Sequence, residues 1–201
     1  MACAICDDAS LESSAYATLL GYYLGDGCIS AAPRYFALRI ACDLSYPAIV
    51  EDVVTSIHSV RPGGKVFRVM APGCVSVVSN WQHWPCLIPQ HGPGRKHERP
   101  ISLERWQRQV VETRAAPFLR GLFHSDGCRV MNWTQRSVAG EWKRYDYPRW
   151  QFTNRSADIR ELCCWALDLA DVPWRQSNHQ TISVSTRAGV VRLDELIGPK
   201  A

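Results

Sequence analysis

Lysine is scarce in this chain: of its 23 basic residues, 4 are lysine and 19 are arginine. No apolar run approaches the roughly 20 residues that a membrane-spanning helix needs, which excludes a helical membrane protein. No secretory leader pattern opens the sequence. Charge of either sign is limited: the net charge is +4 with 21% charged residues, so bulk charge gives only a modest nucleic-acid signal. Cysteine, by contrast, is plentiful. The nine cysteines are an odd number, and without a leader they read as free thiols in a reducing, intracellular setting. The arginine excess suits bidentate contacts to phosphate and guanine, and it equally suits a GC-rich genome. With 46% apolar residues over 201 positions, the chain can bury a sizeable core, as one ordinary domain or two small ones.

The most informative feature is a duplication. Leu19-Leu20-Gly21-Tyr22-Tyr23-Leu24-Gly25-Asp26-Gly27 has a partner in Leu119-Arg120-Gly121-Leu122-Phe123-His124-Ser125-Asp126-Gly127, and 126 − 26 = 100 residues separate the acids. Gly within a helix costs about 1 kcal/mol against Ala. Gly21 and Gly25 fall one turn apart, as do Gly121 and Ser125, a spacing that lets two helix backbones approach closely. Gly27 and Gly127 then read as helix terminators in the left-handed conformation. Asp26 and Asp126 fall at helix C-termini, where the macrodipole disfavours a carboxylate. Packed side by side, the two acids also resist ionising together. A divalent cation relieves both conflicts, and Mg²⁺ takes carboxylate and phosphate oxygens.

The surrounding pattern repeats as well. In the first half a helix over Leu11–Gly25 precedes a strand near Cys28 and a second at Arg34–Cys42, with Phe36, Leu38, Ile40 and Cys42 on one face. A helix after Ser45-Tyr46-Pro47 carries Ile49, Val50, Val53 and Ile57. Strands follow at Lys65–Met70 and Cys74–Ser79, then a short helix or loop around Trp81–Ile88. The second half runs as helix Pro117–Ser125, strand Cys128–Trp133, a polar insert at Thr134–Pro148 and strand Arg149–Arg155. A helix capped by Ser156, a hairpin at Trp174–Ser185 and a terminal helix through Ile197 complete it. The predicted fold is α+β, two pseudo-symmetric αββαββα repeats. Residues 1–90 and 117–201 are the repeats and 91–116 a basic linker, together one compact monomeric domain.

The two motifs resemble those of the LAGLIDADG homing endonucleases in their single-chain, two-motif form. The resemblance implies that the motif helices pack at the centre and that antiparallel sheets form a saddle for double-stranded DNA. It also implies that Asp26 and Asp126, with Gly25 and Ser125 beside them, hold Mg²⁺ or Mn²⁺. Gly21, Gly25, Gly121 and Ser125 would make the helix contact. The family also uses basic residues near the site. Lys65, Lys96, Lys143 and Lys200 are the lysines available, and Lys96 and Lys200 occupy matching places, so these two are the catalytic cations expected. Leu24 and His124 depart from the acidic residue usual two positions before the final Asp. His124 is expected to pack beside the site. The implied activity is site-specific, metal-dependent hydrolysis of DNA phosphodiesters. A non-cleaving DNA-binding regulator on the same fold and an intron maturase are the alternatives. The stretch Trp84-Pro85-Cys86-Leu87 through His91–Pro100 resembles a group of actinobacterial LAGLIDADG-like proteins classed with regulators, which implies a bacterial, cytoplasmic, nucleoid-associated protein.

Base readout is expected on strand faces turned from the core: Arg39 and Arg68 in the first repeat, and Arg149, Gln151, Thr153, Arg155, Arg175, Thr181, Ser183 and Ser185 in the second. Arg95 and Arg129 are expected near the scissile phosphates. The segment His91–Pro100 reads as a mobile basic loop that tracks phosphates or is simply solvated. Cys3-x-x-Cys6 lacks a second Cys pair at matched spacing, so its zinc signal is weak; distant ligands such as His83 and Cys86 would have to complete a tetrahedron.

Overall fold

Helix α1 (Ser13–Asp26) starts where the Glu12 carboxylate accepts from the Ser14 and Ala15 N–H groups. Every residue from Tyr16 to Leu24 is buried, so it is a core helix rather than an amphipathic surface one. The computed structural model describes residues 2–200, so the outer ends of the two repeats, 1 and 201, lie outside it. After α1 come β1 (Gly27–Ala32), β2 (Tyr35–Asp43), α2 (Pro47–Val60), β3 (Val66–Ala71), β4 (Cys74–Trp81) and α3 (Trp84–Leu87). A 3₁₀ turn (Lys96–Glu98) and α4 (Arg105–Thr113) lead to α5 (Ala115–Asp126). The second half then repeats the order with β5 (Gly127–Val138), β6 (Glu141–Thr153), α6 (Ala157–Leu169), β7 (Arg175–Asn178), β8 (Thr181–Val184) and α7 (Arg187–Ile197).

Each half is therefore αββαββα. The strands form two antiparallel sheets, ordered β1-β2-β4-β3 and β5-β6-β8-β7. Alternation decides which side chains face the helices. Leu38, Ile40 and Cys42 on β2 are buried, as are Trp150 and Phe152 on β6 and Ile182 and Val184 on β8. The core runs continuously through both halves, with α1 and α5 as its shared centre. The linker is tied into it: Gln107 on α4 donates to Tyr16 Oη at 2.7 Å, Tyr16 donates to Leu87 O at 2.6 Å, and Gln90 donates to Gln107 Oε1 at 2.6 Å.

Two expectations are corrected here. Gly27 and Gly127 are not left-handed caps: their φ, ψ pairs of −90°, 152° and −97°, 157° are extended. The chain passes from each helix straight into a strand. Glycine is required instead by space, because a Cβ would lie 2.8 Å from Ile40 Cδ1 at position 27 and 2.7 Å from Phe123 Cα at position 127. The polar insert at Thr134–Pro148 is not an excursion either. It extends β5 and β6 into a long hairpin, turned at Ala139 and Gly140, both with positive φ.

Candidate active site

The two motif helices touch backbone to backbone. A Cβ on Gly21 would collide with Phe118 O and lie 2.8 Å from Leu122 N; one on Gly121 would collide with Thr18 O and lie 2.7 Å from Tyr22 N. One turn on, a Cβ on Gly25 would overlap the Ser125 side chain. Ser125 fits because its hydroxyl donates back along its own helix, 2.9 Å from both Gly121 O and Leu122 O. This approach brings the C-termini of α1 and α5 together, and with them Asp26 and Asp126.

Neither carboxylate sits in its ordinary state. Burial raises Asp26 against the opposing pull of Lys96 and Lys200. Burial and then the charge of Asp26 lift Asp126 to about 6, while its hydrogen bond from Asn154 Nδ2 at 2.6 Å acts the other way. Two neighbouring acids, Asp26 exposed at its outer edge and Asp126 half-buried, compete for ionisation at the negative ends of two helices.

Lys96 and Lys200 are placed as a matched pair. Lys96 donates to Tyr23 O at 2.6 Å and to Gly25 O, satisfying the last carbonyls of α1. Lys200 donates to Ser125 O at 3.1 Å and Gly127 O at 2.7 Å, at the end of α5. Each therefore caps its own helix. Burial lowers Lys96 to about 8, and of the two acids Asp126 opposes this more than Asp26. Burial also lowers Lys200, and there Asp26 outweighs Asp126. Lys96 is the stronger cation for both acids, whereas Lys200 acts more on Asp26 than on Asp126.

Two clefts flank the helix ends. The larger, about 430 Å³, holds Asp126, Lys96, Arg95, Arg99, Asn154 and Arg155. The smaller, about 140 Å³, holds Asp26, Lys200, Asp43, Tyr46 and His124. The segment His91–Pro100 is no free loop, since Lys96 anchors it to α1 and His91 packs edge-on against Phe36. His124 is buried, 3.4 Å through Nδ1 from Tyr22 Oη, and burial lowers it to about 4. Arg99 and Asn154 are the residues that sequence reasoning missed. Arg99 has a buried Nε without a partner among the described residues and lines the larger cleft. Its only sequence signal was its place in the basic segment, and Asn154 had none beyond following a strand.

Strand register sorts the remaining candidates. Arg39 pairs with Cys28 and Val78 on the side away from the helices, where it donates to Ser30 Oγ. Arg149, Gln151 and Thr153 share the corresponding face of the second sheet with Arg175. Thr181 and Ser183 lie on that face but are buried, bonded to Thr153 at 3.0 Å and to Ser177 at 2.6 Å. Ser185 lines a shallow groove with Arg136 and Arg175, and Arg155 lies exposed at the larger cleft. Two candidates are corrected. Arg68 is opposite Val77, on the helix side, and pairs with Glu51 of α2 at 2.7 Å. Arg129 is opposite Trp150 and holds Asp194 of α7 bidentately at 2.9 Å. Neither faces outward.

No protein-family model matches the sequence, and no curated protein does. Solved structures do match. I-DmoI in complex with DNA and Mn superposes with a TM-score of 0.58 at 11% identity, covering 93% of this chain and 98% of that one. The LAGLIDADG meganuclease I-AabMI bound to uncleaved DNA gives 0.54 at 13% identity, covering 90% and 82%. A point variant of I-SmaMI gives 0.55 at 9% identity, covering 91% and 85%. The chain has the two-repeat α+β fold of the LAGLIDADG homing endonucleases.

Proposed function

We propose that this protein is a monomeric, divalent-metal-dependent endonuclease that cuts double-stranded DNA at a specific site. The carrying observation is the junction of Asp26 and Asp126, one exposed and one half-buried at the surface of the helix junction, both with raised affinity for protons and flanked by Lys96 and Lys200 at the ends of touching helices. The donor set fits Mg²⁺ or Mn²⁺: hard carboxylate oxygens, crowded enough that one acid's charge raises the other, with backbone carbonyls of Gly25 and Ser125 beside them. A bound divalent ion would supply Lewis-acid stabilisation of the phosphate oxygens and acidify water. The chain's own residues supply the rest. Asn154 orients Asp126, Lys96 and Lys200 offset charge that develops on the phosphates, and Arg99 and Arg155 line the approach to the larger cleft. Arg39, Arg149, Gln151 and Arg175, on outward strand faces, are the base-reading candidates.

One observation favours a second reading, a DNA-binding protein that does not cut. The carbonyls of Gly25 and Ser125 already accept from lysine ammonium groups, which also neutralise the two acids. A protein with two built-in cations can dispense with a metal. Selection of cut sites from a randomised plasmid library separates the two. The nuclease gives discrete double-strand breaks with Mg²⁺ that vanish in Asp26→Asn/Asp126→Asn while DNA binding persists. Enrichment of a bound sequence with no break under Mg²⁺ or Mn²⁺ leaves the non-cleaving protein.

A further inference from the structure

The start of the chain folds back on the far end of the first repeat. Residues Ala4–Cys6 form a turn in which Asp7 N–H donates to Cys3 O at 2.9 Å and Cys3 N–H donates to Asp7 Oδ2 at 2.7 Å. That turn brings the Cys3 and Cys6 thiols together. A second turn does the same beyond β4. His83 is the N-cap of α3, and Cys86 N–H donates to His83 O at 3.0 Å. The two turns face each other: Cys6 Sγ is 3.4 Å from Cys86 Sγ, Cys86 Sγ is 3.8 Å from His83 Nδ1, and all four donor atoms lie within 4.8 Å of one another.

These separations are those of neighbouring thiols and suit a shared metal better than a disulfide. A disulfide would bring two sulfurs to about 2.05 Å. Ligands on a tetrahedral zinc, with Zn–S about 2.3 Å and Zn–N about 2.0 Å, lie roughly 3.5–3.8 Å from one another. The imidazole is also prepared for such a role. Its ring packs edge-on against Trp81, with centroids 5.2 Å apart, and its Nε2 lies 2.9 Å from the Gln82 amide. With that amide turned so that its oxygen accepts, Nε2 carries the proton and Nδ1 presents a lone pair to the other three ligands. The second pair that Cys3-x-x-Cys6 lacked in like residues is supplied at the same spacing by His83-x-x-Cys86, the distant ligands that the sequence required.

We propose that Cys3, Cys6, His83 and Cys86 form a structural zinc site. Three thiolates and one imidazole in a closed tetrahedron select zinc and leave no position for substrate. The site is remote from the paired acids. Tyr16 near the start of α1 bonds to Leu87 of α3, and Asp26 is ten residues further along that helix, about 15 Å away at 1.5 Å per residue. Zinc here clips the N-terminal turn to the corner from which the segment carrying Lys96 and Arg99 departs, closing a loop between Cys6 and Cys86.

The test uses the full chain purified without added zinc. Elemental analysis should find close to one zinc per chain, kept in Asp26→Asn/Asp126→Asn and lost in Cys6→Ser or Cys86→Ser. Cobalt(II) added to the apo-protein should give thiolate-to-metal charge transfer and the intense visible bands of a tetrahedral centre. Zinc should shield three thiols from a disulfide reagent under native conditions. The proposal is overturned if cobalt gives only the weak bands of a six-coordinate ion. It is likewise overturned if the unreduced, denatured protein shows two thiols too few, the mark of a Cys6–Cys86 disulfide. Should Cys6→Ser not fold, the cobalt titration of the wild-type chain still decides.

Discussion

On the nuclease reading, Asp126 concentrates the conflict between stability and activity in one residue. Its folded-state pKa is raised from 3.8 to about 6 by burial and by Asp26. The native state therefore holds a proton that the unfolded chain has released between those values. The stabilisation is complete below the unfolded pKa and is lost as pH rises through about 6. At pH 7.5 the ionised acid is a liability of up to about 3 kcal/mol, since one pKa unit is worth about 1.4 kcal/mol. Asp126→Asn should accordingly be more stable than the wild type at pH 7.5, by about 1–3 kcal/mol, with the difference fading near pH 4. Urea denaturation at both pH values measures it. An advantage equal at both would trace to packing rather than ionisation.

At the scale of elements, helix propensity and packing predict opposite signs for Gly21→Ala. Propensity alone favours alanine by about 1 kcal/mol. The added Cβ, however, meets the α5 backbone at Phe118 O and Leu122 N, and backbone cannot rotate aside as a side chain can. The expected outcome is destabilisation of about 3 kcal/mol or more, seen as a lower denaturant midpoint. A neutral or stabilised variant would mean the helices are not in contact there. This interface was legible in the sequence because small residues recur one turn apart in both copies. So was the element order, where apolar period and turn residues agree. The orientation of Arg68 and Arg129 was not. Val66-Phe67-Arg68-Val69-Met70 is apolar in both parities, and Cys128-Arg129-Val130-Met131 has no polar contrast, so only pairing with Val77 and Trp150 reveals the face. Their substitution separates from that of Arg39. On the proposed function, Arg39→Ala should weaken binding to the cognate DNA by about 1–3 kcal/mol. Arg68→Ala should cost under about 1 kcal/mol of stability, as exposed pairs do, and leave DNA affinity unchanged. Competition binding alongside denaturation distinguishes them, and a loss of affinity in Arg68→Ala would put that strand's register in error.

Across the whole molecule the pseudo-symmetry is broken in two ways, of which sequence could show only the first. The outward face of the first sheet carries Arg39 beside exposed apolar residues such as Phe67 and Val69, whereas the second carries Arg136, Lys143, Arg149 and Arg175 on its extended hairpin and edge. On the DNA-binding reading, the second repeat supplies more of the phosphate attraction. The lysines are crossed between repeats, which needs the three-dimensional meeting of the linker, the C-terminal segment and both helix ends. On the nuclease reading, that crossing has a strand-specific consequence. Lys96 caps α1 yet shares the larger cleft with Asp126, and Lys200 caps α5 yet shares the smaller with Asp26. Lys96→Met should slow one of the two cuts by roughly 10²–10³-fold, the range for loss of one charge-stabilising donor, and leave the other near its wild-type rate. Lys200→Met should do the same to the opposite strand. Both variants would then accumulate nicked rather than linear plasmid, and end-labelling each strand identifies which cut survives. Equal slowing of both strands in either variant would show that the acids and lysines act as one undivided centre, and the two-cleft geometry would lose its mechanistic meaning.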